Sequence, residues 1–388
     1  MQAATRIGES VRATDRVVRL GGDEFTVVLE NADGDEALER IAAAIIERLS
    51  EPFALAGASG GSISASIGIS LFPDDGHDAD SLLKHADVAM YAAKAAGKGR
   101  HQLYRAALSD LLLKRLADEH ALRQAIGRDE FVVHYQPRVS AVTGRLSSVE
   151  ALVRWQHPQR GLLSPAEFID VAENAGLIVP ISEIVVEQVA AQIAQWREQG
   201  IALVPVSVNV SPRQLQAGST AACLAQALER HALPASLLEV EITESAMVDR
   251  GAATSRDLDA IRALGIRLMI DDFGTGYSSL AQLHRLDVDV LKVDQAFTRA
   301  LAHGSEGELM YRAIVSMATA LGMRVVAEGV ETLEQLRLLQ TIGCDEIQGH
   351  VISPAVPAAA IVVLARAERL LAVGRGVAPL QSLRAGGS

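Results

Sequence analysis

The sequence predicts an α/β protein: a (βα)8 barrel of TIM type with an antiparallel first strand, preceded by a smaller α+β unit. Three observations predict it. Between residues 123 and 370, eight short β-branched runs alternate with helical stretches, the rhythm of a parallel barrel. Only Ser140–Arg145 separates the first two runs. That is too short for a parallel crossover, so this pair is expected to be antiparallel. Residues 1–105 follow a different rhythm, with two strands around Gly21–Gly22 before the first helical stretch.

In the first region, Val17–Glu30 reads as a hairpin, Glu36–Leu49 as a helix, Ser62–Leu71 as a strand and Asp80–Ala96 as a helix ended by Gly97–Lys98–Gly99. Ala106–Ile126 reads as one long amphipathic helix without proline, and residues 106–122 are assigned as the connector. The barrel, 123–370, takes its strands from Phe131–Tyr135, Leu146–Trp155, Leu203–Val210, Leu238–Thr243, Arg267–Ile270, Val288–Val293, Arg324–Ala327 and Glu346–Ile352. Helices are expected at Ser182–Gln199, Pro212–His231, Thr254–Leu264, Glu306–Ala320 and Leu333–Ile342. The Gly- and Ala-rich end, 371–388, is expected to be a flexible tail.

Composition narrows the function classes. The chain has 388 residues, 49% of them apolar, and a formal net charge of −12, which argues against a general nucleic-acid surface. No apolar run is long enough to span a bilayer, and Met1–Ser10 lacks an apolar signal core, so a cytoplasmic chain is expected. Cys223 and Cys344 alone offer neither a disulfide framework nor a zinc site.

The most informative stretch is Ile266–Ser279, where an apolar run ends in the adjacent carboxylates Asp271 and Asp272 and then a glycine- and hydroxyl-rich loop. Two neighbouring charges at a strand end repel and are costly to desolvate, which points to a cation between them. Other strands also end in polar residues: Glu150, Asn209, Glu241, Lys292, Glu328 and Gln348. Taken singly, each is an ordinary loop, cap or surface residue. In a barrel, strand C-terminal ends converge on one face, so these residues are expected to meet. Carboxylates plus one amide carbonyl form a hard, oxygen-only ligand set, suited to Mg²⁺ or Mn²⁺. There are enough for two ions, with Asp271 bridging, as phosphodiester hydrolysis by a two-metal centre requires. Lys292 would hold the attacking water or a phosphate oxygen, and Glu328 would accept a proton from that water.

At this point the motifs are recognisable. Glu150–Ala151–Leu152–Val153–Arg154–Trp155, Tyr135–Gln136–Pro137, Asn209–Val210–Ser211–Pro212, Glu241–Ile242–Thr243–Glu244, Asp271–Asp272–Phe273–Gly274–Thr275–Gly276, Lys292–Val293–Asp294, Glu328–Gly329–Val330–Glu331 and Gln348–Gly349 resemble the EAL-domain cyclic di-GMP phosphodiesterases over residues 123–365. The resemblance implies cleavage of cyclic di-GMP to linear pGpG. It implies metal ligation by Glu150, Asn209, Glu241, Asp271 and Asp272, and substrate contacts from Gln136, Arg154 and Gln348. It also implies that Glu244 anchors the loop after Asp272, and that the barrel forms a homodimer. A non-catalytic cyclic di-GMP receptor is the alternative, and the complete ligand set favours the enzyme. His350–Val351–Ile352 departs from the aromatics usual after Gln348–Gly349.

Gly21–Gly22–Asp23–Glu24–Phe25, Ala65–Ser66–Ile67–Gly68–Ile69 and Asp87–Val88–Ala89–Met90–Tyr91 resemble part of a GGDEF diguanylate cyclase domain. Arg12 and Asp15, with five residues between Asp15 and Gly21, resemble its inhibitory product-binding site. Only twenty residues precede Gly21, fewer than the strand and helices that such a domain carries there. The expectation is a partial domain, with its N-terminal half missing and no cyclase activity.

Overall fold

The computed structural model describes residues 2–31, 34–55, 58–61, 63–244, 246, 251–274 and 288–371. Two compact units divide the chain, residues 1–120 and 121–388.

In the first unit, β1 (Arg16–Gly21) and β2 (Glu24–Val28) form an antiparallel hairpin. Gly22 turns it with a positive φ of 53°, a conformation glycine adopts freely. β3 (Phe53–Leu55) pairs antiparallel with β4 (Ala58–Gly61), and β5 (Ile67–Ile69) pairs parallel with β6 (His101–Leu103). The strand expected over Ser62–Leu71 is thus ordered as a strand only at Ile67–Ile69 among the described residues. Helices Gln2–Glu9 and Asp35–Ser50 bring Ile7, Ile45 and Leu49 onto Phe53 to make a small core. Asp78 caps helix Ala79–Ala95 by accepting from the Ser81 amide.

Helix Ala106–Ile126 is continuous, but its apolar residues do not form the single stripe expected of an amphipathic helix. Leu111, Leu113 and Leu116 are exposed, whereas Leu122 and Ala125 pack with Phe131, Trp155 and Phe168.

The second unit is a closed eight-stranded barrel. Its staves are β7 (Phe131–Ser140), β8 (Leu146–His157), β10 (Val206–Val210), β11 (Leu238–Thr243), β12 (Arg267–Phe273), β13 (Val290–Val293), β14 (Arg324–Ala327) and β15 (Glu346–Gln348). Two short strands flank it, β9 (Gly161–Leu163) on β8 and β16 (Val356–Pro357) on β7. β7 runs antiparallel to both β8 and β15, as its short connection to β8 demands; the other neighbours are parallel.

Outside the barrel, Val208, Val240, Ile270, Leu291 and Val325 bury their side chains under helices carrying Val189, Ile193, Leu224, Ile261 and Leu339. The single helix expected over Pro212–His231 is two, Pro212–Ala217 and Thr220–Arg230. Gly218 ends the first in the left-handed region. The buried Asp257 carboxylate accepts from the amides of Thr220 and Ala221, satisfying the start of the second.

Side chains alternate along a strand, so every second residue faces the barrel interior. That rule places Ser148 and Glu150, Ser207 and Asn209, Glu239 and Glu241, Met269 and Asp271, and Glu346 and Gln348 on the inside of their staves. Met269, Val290 and Val326 make a small apolar cluster there.

Candidate active site

Lys292 organises the C-terminal end of the barrel. Its ammonium is 1% exposed and lies 2.5 Å from Glu241 Oε2, 2.7 Å from Glu328 Oε1, 2.8 Å from Asp271 Oδ1 and 3.4 Å from Glu150 Oε2. Four strands therefore converge on one cation. Glu150 is held on both oxygens: Asn209 Nδ2 donates to Oε1 at 2.8 Å, and Gln348 Nε2 donates to Oε2 at 2.6 Å. Gln348 Nε2 also reaches Gln136 Oε1 at 3.2 Å, so these two glutamines share one corner of the mouth. Arg154 stands on the strand of Glu150, with Nη1 donating to the Val153 carbonyl.

Adjacent residues on a strand normally point to opposite faces, so Asp271 and Asp272 should not both reach the site. They do, because β12 loses register with β13 between Ile270 and Phe273, and Asp272 takes a left-handed φ of 53°. A bulge with a left-handed residue re-aims a side chain, and aspartate tolerates that backbone better than most residues. The result is two carboxylate triples whose oxygens lie within 4.8 Å of one another: Glu150, Glu241 and Asp271, and Asp271, Asp272 and Glu328. Asp271 belongs to both.

The acids are unequal. Burial pushes the Glu241 carboxyl up to about 8, reinforced by Glu150 and opposed by Lys292. Burial also lifts Glu328 to about 8 against the pull of Lys292. Asp272 rises to about 6, through burial first and Asp271 second. Burial works against the Glu150 carboxylate too, but Lys292, Gln348 and Asn209 together outweigh it and hold the group at about 2. The buried ammonium of Lys292 would favour losing its proton, yet the surrounding carboxylates hold it well above its ordinary range.

Whether this end fits divalent cations can be judged from its own atoms. Glu241 Oε1 is buried without a hydrogen-bond partner among the described residues, and Asp271 Oδ1 has only the ammonium of Lys292, which it shares with three other carboxylates. Unsatisfied buried carboxylate oxygens are costly, and a hard cation relieves that cost. The donors are oxygens only, and five carboxylates face one ammonium. The cluster fits a metal.

Below it lies a second ionic group that the strand-end reading missed. Arg138, fully buried, donates to Glu239 Oε2 at 2.6 Å; Arg267 Nη2 lies 2.7 Å from Glu239 Oε1. Glu346 takes Arg324 at 3.2 Å and Ser148 at 3.1 Å. Each interior member is two residues along a strand from a predicted site residue: Arg138 from Gln136, Glu239 from Glu241, Glu346 from Gln348, Ser148 from Glu150. Strand alternation was the signal that could have found them. Asp294, which caps helix Gln295–Arg299 and adds to the raised proton affinity of Asp272, was also missed as a neighbour of the site.

Glu244 is buried and its Oε2 accepts from the Gly274 amide at 3.0 Å. Gly274 has φ 101°, and a Cβ there would come within 2.4 Å of the Phe297 ring, so only glycine fits. The rest of the loop, including Thr275–Ser279, lies outside the described residues, as does the tail expected over 371–388 apart from Leu371. In the other unit, Asp15 accepts from the backbone amides of Arg12 and Glu30, so its carboxylate serves the local turn.

Residues 119–355 match the EAL domain family model. The chain belongs to the EAL domain family. Residues 1–100 match the diguanylate cyclase GGDEF domain model. Over 358 residues the chain is 39% identical to the bifunctional diguanylate cyclase/cyclic di-GMP phosphodiesterase MucR of Pseudomonas aeruginosa, covering 92% of this chain and 52% of MucR. It is 39% identical over 344 residues to the cyclic di-GMP phosphodiesterase PdeR of Escherichia coli, covering 89% of this chain and 51% of PdeR. The chain thus spans about half the length of these curated relatives. Among solved structures, the EAL barrel resembles the PaMucR phosphodiesterase in complex with c-di-GMP, with TM-score 0.60 and 41% identity over 63% of this chain and 99% of that one. No helix among the described residues of this EAL chain is long and apolar enough to cross a membrane.

Proposed function

We propose that the EAL barrel hydrolyses one phosphodiester bond of cyclic di-GMP, releasing linear pGpG, with two Mg²⁺ or Mn²⁺ ions. The observation that carries this reading is the pair of carboxylate triples sharing Asp271. Glu150, Asn209, Glu241, Asp271 and Asp272 are the residues that would hold the ions, and Asp271 is the group common to both. Bound there, the ions would supply an activated water and charge neutralisation for the attacking and leaving oxygens.

The chain's own residues do the rest. Glu328, held by Lys292 and grouped with Asp271 and Asp272, accepts the proton of the attacking water. Lys292 fixes four carboxylates and offers its positive charge to a phosphate oxygen. Gln136 and Gln348, which share one corner of the mouth, would contact the dinucleotide together with Arg154 from the strand of Glu150. Glu244 ties the chain just after Asp272 through Gly274, which holds the bulge in place.

The relatives and the solved neighbour support this substrate by name. We also propose that the N-terminal segment has no cyclase activity. Incubating the chain with cyclic di-GMP and Mg²⁺ or Mn²⁺ is expected to yield pGpG, seen by chromatography. Binding without cleavage would replace the enzyme by a receptor. Cyclic di-GMP formed from GTP would refute the reading of the N-terminal segment.

A further inference from the structure

We infer that Arg138 is a positioning residue for Glu241, holding one oxygen of that carboxylate from beneath so that it faces a bound metal. The inference rests on the reading of Glu241 as a metal ligand.

The Glu241 carboxylate is approached from two sides. Lys292 Nζ takes Oε2 at 2.5 Å from the mouth of the barrel, and Arg138 Nη1 lies 3.6 Å from Oε1 from within. The two contacts differ in kind. Lys292 is shared among four carboxylates, and any cation entering between them competes with it for the same oxygens. Arg138 has no such competitor. Its other nitrogen, Nη2, is fixed by Glu239 Oε2 at 2.6 Å, and Glu239 is fixed in turn by Arg267 at 2.7 Å. Its Nη1 also rests 3.2 Å from Met269 Sδ, inside the apolar cluster. A chain of alternating charges, Arg267, Glu239, Arg138 and Glu241, thus runs up the barrel interior to the site.

A separation of 3.6 Å is too long for a hydrogen bond but short enough for strong attraction in a buried setting. Arg138 therefore orients Glu241 without occupying the lone pair that a metal would take; Oε1 has no hydrogen-bond partner. Neutralising Glu239 alone does not explain a fully buried guanidinium there, because Arg267 already sits on the other Glu239 oxygen. Burying a second arginine is costly unless further carboxylates share it, and after Glu239 the strongest of these is Glu241, ahead of the more distant Glu346 and Glu150.

The test compares the full chain with Arg138→Met and Arg138→Lys. Mn²⁺ binding is followed by the loss of the free-ion electron paramagnetic resonance signal, and melting temperature is measured alongside. Outer partners of metal ligands are typically worth about 10- to 100-fold in affinity. Arg138→Met is expected to raise the Mn²⁺ Kd by about that factor, and to lose more turnover at limiting than at saturating Mn²⁺. Arg138→Lys keeps the charge but cannot span Glu239 and Glu241 together, and is expected to fall between the two. A folded Arg138→Met chain that binds Mn²⁺ within twofold of wild type overturns the inference, whatever its melting temperature. Should Arg138→Met fail to fold, Arg138→Lys decides: a Kd raised at least threefold supports positioning, and one within twofold overturns it. A wild-type chain that binds no Mn²⁺ overturns the metal reading of Glu241 and this inference with it, which separates the two failures.

Discussion

At the mouth of the barrel, Lys292 is shared by Glu150, Glu241, Asp271 and Glu328, with Asp272 alongside. A few residues deeper, Arg138, Arg267 and Arg324 face Glu239 and Glu346. Both groups hang from the same staves, often two residues apart. The deep group sets three arginines against two glutamates, pairs each glutamate oxygen, and leans its surplus positive charge, on Arg138, toward Glu241. The mouth gathers five carboxyl groups around one ammonium and leaves Glu241 Oε1 without a hydrogen-bond partner. A fold has reason to bury the first arrangement for its own sake. The second is costly unless something outside the chain completes it, and that asymmetry separates a site from a core.

The comparison breaks most visibly in turnover. Glu328→Gln is expected to lower pGpG release at saturating metal by about 10²- to 10⁴-fold, the range for losing a positioned base. It should leave the barrel intact, because Lys292 keeps Glu150, Glu241 and Asp271 as partners. At pH 8.5 without metal its melting temperature should equal or exceed that of wild type, since one member of a crowded set is gone. A parallel fall of stability and turnover would mean that the mouth is structural like the layer below.

The deep layer should answer in the opposite way. Glu239→Gln leaves buried Arg138 without its shortest partner, and breaking such a pair costs about 3–5 kcal/mol. Thermal or urea unfolding would show the loss, while turnover at saturating metal is expected to fall less than about tenfold. An unchanged melting temperature would remove the distinction between the layers.

Much of the mouth was legible in the sequence, because one rule, convergence of strand C-termini, places Glu150, Asn209, Glu241, Asp271, Lys292, Glu328 and Gln348 together. The deeper layer was not read, because Arg138 and Glu239 sit within their strands and Glu346 at the start of its own, where a charge looks like a solvated outer face until the barrel is known to close. The reach of Asp272 was legible as a need, not as a geometry: two adjacent acids demanded a cation, but the bulge that turns the second one inward depends on register with β13. The split of Pro212–Arg230 turned on a glycine cap and on Asp257, remote in sequence. The hairpin connection of β7 and β8 was plain because loop length alone decides it.

The smallest effect is the most discriminating about charge. Glu241 and Glu328 hold their protons up to about 8 in the folded, metal-free barrel, against an ordinary value of 4.5. Their contribution to stability is therefore full below about 4.5 and is lost as pH rises towards 8. Asp272 runs the same way but finishes near 6. Glu150 runs oppositely, yet its window lies between about 2 and 4.5, so it is constant above pH 5. Metal-free stability at the mouth should thus decline from pH 5.5 to 8.5, whereas a bound divalent cation displaces those protons and cancels the repulsion behind them. At a hundredfold excess over Kd, metal adds about 2.7 kcal/mol, several degrees for a domain of this size. At one fixed Mn²⁺ concentration that increment should grow with pH across the interval, because affinity rises as protons stop competing. Melting curves at pH 5.5, 7 and 8.5, each with chelator and with that Mn²⁺ concentration, isolate it, since groups elsewhere titrate equally in both. An increment that stays flat or shrinks with pH would mean that the metal, if it binds, does not displace protons from Glu241 and Glu328, and the excess charge at the mouth would need another partner.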